Sequence, residues 1–211
     1  GKDTKNLMAT IPNVRSTLIV EKQRRTSIKT RFVAGGQQMM RTDDETIAPI
    51  RNDTKQKIIK LVNSALNNCT ALILSDYAKG VLTPEITIEI IRLAKKAGIP
   101  IVVDPQGNNY EQYKGADIVT PNRKELSLAT SMPVNNEDQI ITAARKLISK
   151  NKISFILATR SSDGMTLVDQ KRSDTFKAEA REVFDVSGAG DTVVATIAAS
   201  LSAGIDLKQA V

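Results

Sequence analysis

The sequence predicts an α/β protein built on a layered, mostly parallel sheet, with a small β lid near its start. Three observations carry that prediction. From Arg51 to Asp206, short β-rich runs alternate with stretches whose apolar residues recur at three- and four-residue spacing, the order expected of parallel strands joined by helical crossovers. Several runs end at a polar residue, and open parallel sheets bind ligands beyond the carboxyl ends of their strands. The first fifty residues instead hold β-prone segments with no full helix between them.

Taken in order, residues 17–21, 28–34 and 37–43 read as strands of an antiparallel flap, with Gly35-Gly36 as a turn and the lid spanning about residues 15–45. Helices are predicted at 55–67, 84–97, 136–149 and 189–203. The second has the clearest signals: Thr83 as N-cap, Pro84 in the first turn, a stripe of Ile86, Ile90, Ile91 and Ala94, then Gly98 and Pro100 to close it. Strands are predicted at 71–75, 101–104, 118–120, 154–159 and 165–169, compact apolar runs suited to burial on both faces. Ser75-Asp76, Asp104-Pro105, Thr120-Pro121-Asn122 and Thr159-Arg160 should then line one sheet edge. There is no internal repeat or low-complexity linker, so one domain plus a lid is expected.

Composition removes several chemistries. The 211 residues include no His, no Trp and one Cys, which excludes His-based triads, His-ligated zinc, thiolate clusters and internal disulfides within this chain. Acid–base work must fall to a carboxylate, Lys or Tyr. Cys69, beside the apolar run from Ala71 to Leu74, is expected to be a small buried residue in a reducing compartment, which makes cytoplasm the default. The net charge of +7 suits phosphorylated or polyanionic partners, but aromatics are only 3% and no nucleic-acid-binding motif is present, so no nucleic-acid partner is expected. The longest apolar stretch, Val193 to Ala203, is broken by Thr196, Ser200 and Ser202 and is too short to cross a bilayer, so no membrane partner is expected. The opening Gly-Lys-Asp-Thr has neither an initiator Met nor a signal-peptide pattern, and reads as an excised beginning.

Asp185-Val-Ser-Gly-Ala-Gly-Asp191 is the most informative segment, a small-residue loop running into an apolar helix. Gly188 and Gly190 let the backbone approach a ligand, and unpaired amides at a helix start can hold phosphate charge. Asp191, in the first turn, can accept a proton from an attacking hydroxyl while those amides stabilise the transferring phosphoryl group. The same letters also describe a Gly-rich turn with an acidic first-turn residue before a core helix.

This segment resembles the second signature of the ribokinase-like, or PfkB-type, sugar kinases. Further pieces, Leu74-Ser-Asp-Tyr-Ala-Lys-Gly80, Val103-Asp-Pro-Gln-Gly107, Thr120-Pro-Asn-Arg-Lys-Glu125, Ala158-Thr-Arg-Ser-Ser-Asp-Gly-Met165, Lys29-Thr-Arg31 and Gln37-Gln-Met-Met-Arg41, resemble one branch, the D-glycero-D-manno-heptose 7-phosphate kinases of lipopolysaccharide-core synthesis. The resemblance covers nearly the whole chain and implies a three-layer ribokinase-like fold using ATP and Mg2+. It implies Asp191 as the base for the sugar's anomeric hydroxyl, with Gly188, Ala189 and Gly190 supplying amides to the transferring phosphate. Asn122 and Glu125 match the Asn-x-x-Glu element that holds magnesium-bound phosphate through water, although this spacing is also that of a capping box. Thr159, Arg160 and Gly164 would border the nucleotide phosphates; otherwise they form a polar turn between strands. Asp76 and Lys79 would meet the sugar phosphate, as would Arg31, Gln37 and Arg41 from the lid; as alternatives these are a solvated loop and ordinary strand-surface charge. In this branch the lid often pairs with a second subunit, implying a homodimer.

The sequence departs from the pattern in two ways. Gln106 stands where the branch usually has Lys, which removes a cation near the phosphates. The upstream Gly-Gly-x-x-Asn signature is absent and the chain stops at Val211, so residues 1–211 are expected to be the central part of one kinase domain, truncated at both ends. Another kinase of the same fold, or a noncatalytic nucleotide- or sugar-phosphate-binding module, is the alternative.

Overall fold

The computed structural model describes residues 1–35, 37–178 and 188–211. In chain order the elements are α1 (Lys2–Ala9), β1 (Ile28–Ala34), β2 (Gln37–Asp44), α2 (Asn52–Leu66), β3 (Leu72–Ser75), α3 (Pro84–Lys96), β4 (Ile101–Asp104), β5 (Ile118–Val119), α4 (Arg123–Thr130), α5 (Glu137–Asn151), β6 (Phe155–Thr159), β7 (Met165–Val168), β8 (Ser173–Phe176), α6 (Ala189–Ser202) and α7 (Leu207–Ala210). Short 3-10 turns lie at Tyr110–Tyr113 and Ser161–Asp163. The chain divides into two units, Gly1–Ile58 and Ile59–Val211.

The second unit holds a six-stranded sheet in the order β3-β4-β5-β6-β7-β8. Pairing is parallel from β3 to β6 and antiparallel from β6 to β8. Both faces are apolar, as a sheet covered on two sides requires. Val102, Ile118, Leu157 and Leu167 pack under Val194, Ile197 and Ala198 of α6 and Leu207 of α7. The alternate residues Val103, Val119, Ile156, Ala158 and Val168 are buried on the other face, where α3 meets β4, α4 meets β6, and α5 meets β6 and β7. Three layers result.

Local signals explain why the helices begin and end where they do. Pro84 opens α3, the stripe Ile86, Ile90, Ile91 and Ala94 is buried, and Lys95 and Lys96 occupy the last turn, where the helix dipole favours cations. Gly98 follows in the left-handed region with φ +69°. Thr83 makes no cap bond to the backbone; its hydroxyl donates to Glu85 Oε2 at 2.7 Å instead.

Several expectations need correction. Residues 17–21 form no strand; Val20 is 88% exposed, and β-prone residues without a paired neighbour gain no ladder. β3 is not buried on both faces: Ile73 and Ser75 are exposed, because β3 lies at the end of the strand order. Cys69 is exposed, standing in the turn after α2 and short of the apolar run. α1 and β8 were not foreseen from the sequence. In the first unit β1 and β2 pair antiparallel, with a bulge between Phe32 and Val33, and every described residue of both strands is exposed. Gly36, in the predicted turn, lies outside the described residues, as does 179–187 with Asp185 and Ser187 of the signature loop.

Candidate functional site

Parallel strands deliver their carboxyl ends to one edge, and hydrogen bonds join the successive ends along it. Asp76 N–H donates to Asp104 C=O at 3.0 Å, Thr120 N–H to Val103 C=O at 3.0 Å, and Thr159 N–H to Pro121 C=O at 2.9 Å. Ser75, Asp104, Asn122 and Thr159 therefore stand along one line, the last two also forming a parallel bridge.

α6 packs on β3 and β4 and brings its first turn to this edge. Gly188 caps it with φ +79° and ψ +4°, a left-handed conformation that glycine adopts without strain. The first intrahelical bond runs from Thr192 N–H to Gly188 C=O at 2.9 Å, so the amides of Ala189, Gly190 and Asp191 precede it and have no acceptor within the helix. Gly188, Ala189, Gly190 and Asp191 are all exposed.

Asp104 is where the acidic groups of the edge meet. Burial pushes its carboxyl above the usual carboxylate range, the Asp191 charge adds to the rise and Asp76 contributes, while a hydrogen bond donated by Ser75 Oγ at 3.3 Å opposes it. Glu125 is also raised, by burial first and by Asp104, against the hydrogen bond from Asn122 N–H. Asn122 and Glu125 form a reciprocal capping box on α4: Glu125 N–H donates to Asn122 Oδ1 at 3.0 Å and Asn122 N–H to Glu125 Oε2 at 2.8 Å. The box fixes the Glu125 carboxylate beside the Asp104 charge, so the structural and the functional readings of this spacing are compatible.

The Asp104 shift has a consequence for stability. A carboxyl whose folded-state pKa is raised favours the folded protein below its ordinary value, near 3.8, and that contribution is lost as pH rises through the raised value. Asp104→Asn is therefore expected to raise the melting temperature at neutral pH, with the gain shrinking to nothing toward about pH 4. A gain equal at both pH values, or a loss at neutral pH, would contradict the electrostatic account.

Other predicted residues are engaged by the protein itself. Asp76 is buried; its Oδ1 accepts from Ala78 N–H at 2.8 Å, and its Oδ2 accepts from Tyr113 Oη at 2.7 Å and Gln112 Nε2 at 3.2 Å. Lys79 is half-buried, one residue beyond Ala78. Arg160 is buried: one Nη donates to Asp163 C=O at 2.9 Å, the other lies 3.7 Å from Glu137 Oε2, and Nε has no partner. Thr159 ends β6, and Gly164, at φ +89°, donates to Ser161 C=O at 3.1 Å and accepts from Arg160 N–H at 2.8 Å. In the first unit, Arg31 and Arg41 face each other across β1 and β2, where like charges repel, and Arg41 Nε pairs with Asp43 at 2.9 Å. Gln37 lies opposite Ala34 near the hairpin end.

Sequence reasoning passed over two residues as site members. Asp104 carried a usable signal, an Asp-Pro pair at a strand's carboxyl end. Tyr113 carried none, because its partners Asp76 and Gln106 reach it only through the tertiary fold. A cleft of about 430 Å³ lined by Arg123, Lys124, Ser127, Leu128, Val134 and Asn135 shares no residue with the Asp76, Asp104, Glu125 and Asp191 set.

A three-layer sheet with a small-residue helix start at the carboxyl edge of its strands is the architecture of the ribokinase-like carbohydrate kinases. The family described as pfkB family carbohydrate kinase matches residues 10–211, and the chain belongs to it. Over 211 residues it is 46% identical to the bifunctional protein HldE of Rhodospirillum rubrum, covering all of this chain and 42% of that protein. It is equally 46% identical to HldE of Paramagnetospirillum magneticum, covering 43% of it, so the chain spans less than half the length of these relatives. Among solved structures, the tetrameric inhibited form of phosphofructokinase-2 from Escherichia coli superposes with a TM-score of 0.79 at 21% identity, over all of this chain and 69% of that one. Arabidopsis thaliana ribokinase complexed with ribose and ATP superposes with a TM-score of 0.64 at 24% identity, over 81% of this chain and 55% of that one. Among the described residues no helix is long and apolar enough to cross a membrane.

Proposed function

We propose that the protein containing this chain transfers the γ-phosphoryl group of ATP to the anomeric hydroxyl of D-glycero-D-manno-heptose 7-phosphate, giving the 1,7-bisphosphate for lipopolysaccharide-core synthesis. One observation carries the reading: the Asp191 carboxylate shares the first turn of α6 with amides that have no helical acceptor, at the strand-end edge where Asp104 feels its charge. Identity of 46% to HldE proteins supports the sugar.

Asp191 takes the proton of the anomeric hydroxyl as its oxygen bonds to the γ-phosphorus. The bond from that phosphorus to the β,γ-bridging oxygen breaks, and ADP leaves with the electron pair. The amides of Gly188, Ala189 and Gly190 face the charge that develops on the transferring group. Thr159, Arg160 and Gly164 border the nucleotide phosphates, and Asp76 and Lys79 serve the sugar phosphate.

Asn122 and Glu125 would hold Mg2+ through its water. The donor set suits this, because an amide and a carboxylate offer the oxygen ligands that Mg2+ takes, and Glu125 stands where the Asp104 charge is felt. When bound, the ion would neutralise phosphate charge. The protein would act in the cytoplasm, where ATP is supplied. It would dimerise through the hairpin, where Phe32, Val33, Met39 and Met40 are exposed; a monomeric mass in sedimentation equilibrium would contradict the dimer.

A panel of acceptors tests the reading. With ATP and Mg2+, the heptose 7-phosphate is expected to give the highest kcat/KM among it, fructose 6-phosphate, ribose and a nucleoside. A higher value for any of the others would overturn the substrate assignment.

A further inference from the structure

The loops after β3 and β4 meet at a single buried hydroxyl. Tyr113 has no exposed surface, and its ring is held edge-to-face by Tyr110 with centroids 5.4 Å apart. Its hydroxyl donates to Asp76 Oδ2 at 2.7 Å and accepts from Gln106 N–H at 3.2 Å. Burial and the neighbouring Asp76 carboxylate keep that hydroxyl protonated far above neutral pH, so it remains a donor. Asp76 in turn accepts from Ala78 N–H at 2.8 Å, and Ala78 has φ +51°, a conformation unfavourable for any residue with a Cβ. The bond supports that turn, and the next residue is Lys79.

We infer that Tyr113 is a positioning residue: its hydroxyl latches the Asp76-to-Gly80 loop to the Gln106 loop and so sets where Lys79 and Gln106 meet the substrate. The latch acts on the Gln106 backbone, whose N–H donates to the Tyr113 hydroxyl. One anchor point, Asp76, is assigned above to the sugar phosphate together with Lys79, so the ligand named here rests on the proposed function.

Tyr113→Phe in the full-length protein tests the latch. Hydrogen exchange at the Gln106 and Ala78 amides is expected to speed up about tenfold or more, while exchange in β5 and β6 stays unchanged. The KM for the sugar phosphate is expected to rise about tenfold and that for ATP to stay within about twofold. A merely structural role would lower the melting temperature and the yield of active enzyme without separating the two KM values. Asp76→Asn, which keeps the shape but weakens the acceptor, should speed exchange at the Gln106 and Ala78 amides less strongly and guards against a Tyr113 variant that does not fold; it is read by exchange alone, because Asp76 is itself assigned to the sugar phosphate. Unchanged exchange at Gln106 overturns the latch, and faster exchange with no selective rise in the sugar-phosphate KM overturns its positioning role. If the unaltered protein transfers no phosphate to any sugar phosphate, the proposed function and the ligand named here fall together, and the exchange result alone decides the latch.

Discussion

Asp191→Asn is expected to lower kcat by about 10³-fold, within the range for removal of a general base, while ATP binding stays near that of the unaltered protein. The substitution keeps side-chain volume and an oxygen acceptor at the α6 start, but the amide cannot take a proton at neutral pH. Two small effects on stability oppose each other. Losing a first-turn carboxylate removes a helix-dipole interaction of roughly 0.3–1 kcal/mol. Neutralising position 191 also relieves the repulsion that raises the Asp104 carboxyl. The melting temperature should therefore move little, and a collapse in kcat would report chemistry rather than unfolding. Turnover within tenfold of the unaltered protein, with ATP still bound, would remove Asp191 from the base role.

Gly164→Ala is expected to destabilise the fold by on the order of 3 kcal/mol, among the larger effects of a single substitution. Gly164 adopts φ +89° and ψ −137°, a region essentially closed to residues with a Cβ. A Cβ there would lie 1.9 Å from Phe176 O, 2.8 Å from Ala178 N and 2.9 Å from Lys177 C. All three are backbone atoms at the end of β8, so no side chain can rotate away. Gly164 also closes the turn through its bonds with Ser161 and Arg160, so strain would pass to the end of β6, where Thr159 stands. Chemical denaturation measures the loss, and a change below about 1 kcal/mol would show that the β7–β8 edge yields more readily than its geometry indicates.

The parts of the site that depend on neighbours in sequence were legible before any coordinates. Gly188 and Asp191 sit in a loop whose small residues leave few alternatives to a helix start with open amides, and Asn122 with Glu125 at three-residue spacing forms the capping box that the spacing describes. The alternation of apolar runs with helical stripes was enough for β4, β6 and α3. What escaped depends on distant partners or on the lack of one. Residues 17–21 carry β-prone side chains but find no strand to pair with, whereas the mostly polar Ser173–Phe176 becomes a strand because β7 offers its free edge. The sequence implies a place for Arg160 beside the nucleotide phosphates, and only the fold adds that it is buried against Glu137 and Asp163, residues that spacing alone does not bring together. Asp76 shows the same limit. A polar residue past a strand end reads as a ligand contact, and only the fold adds the protein donors from which its two oxygens also accept.

The most direct test of phosphoryl transfer at this edge is the 31P spectrum of the products formed by the full-length protein from ATP, Mg2+ and D-glycero-D-manno-heptose 7-phosphate. One new phosphate resonance coupled to the anomeric proton, with ADP formed in equal amount and both formed about 10³-fold more slowly by Asp191→Asn, is the predicted result. A phosphate ester at another carbon, or the same product formed undiminished by Asp191→Asn, would contradict it.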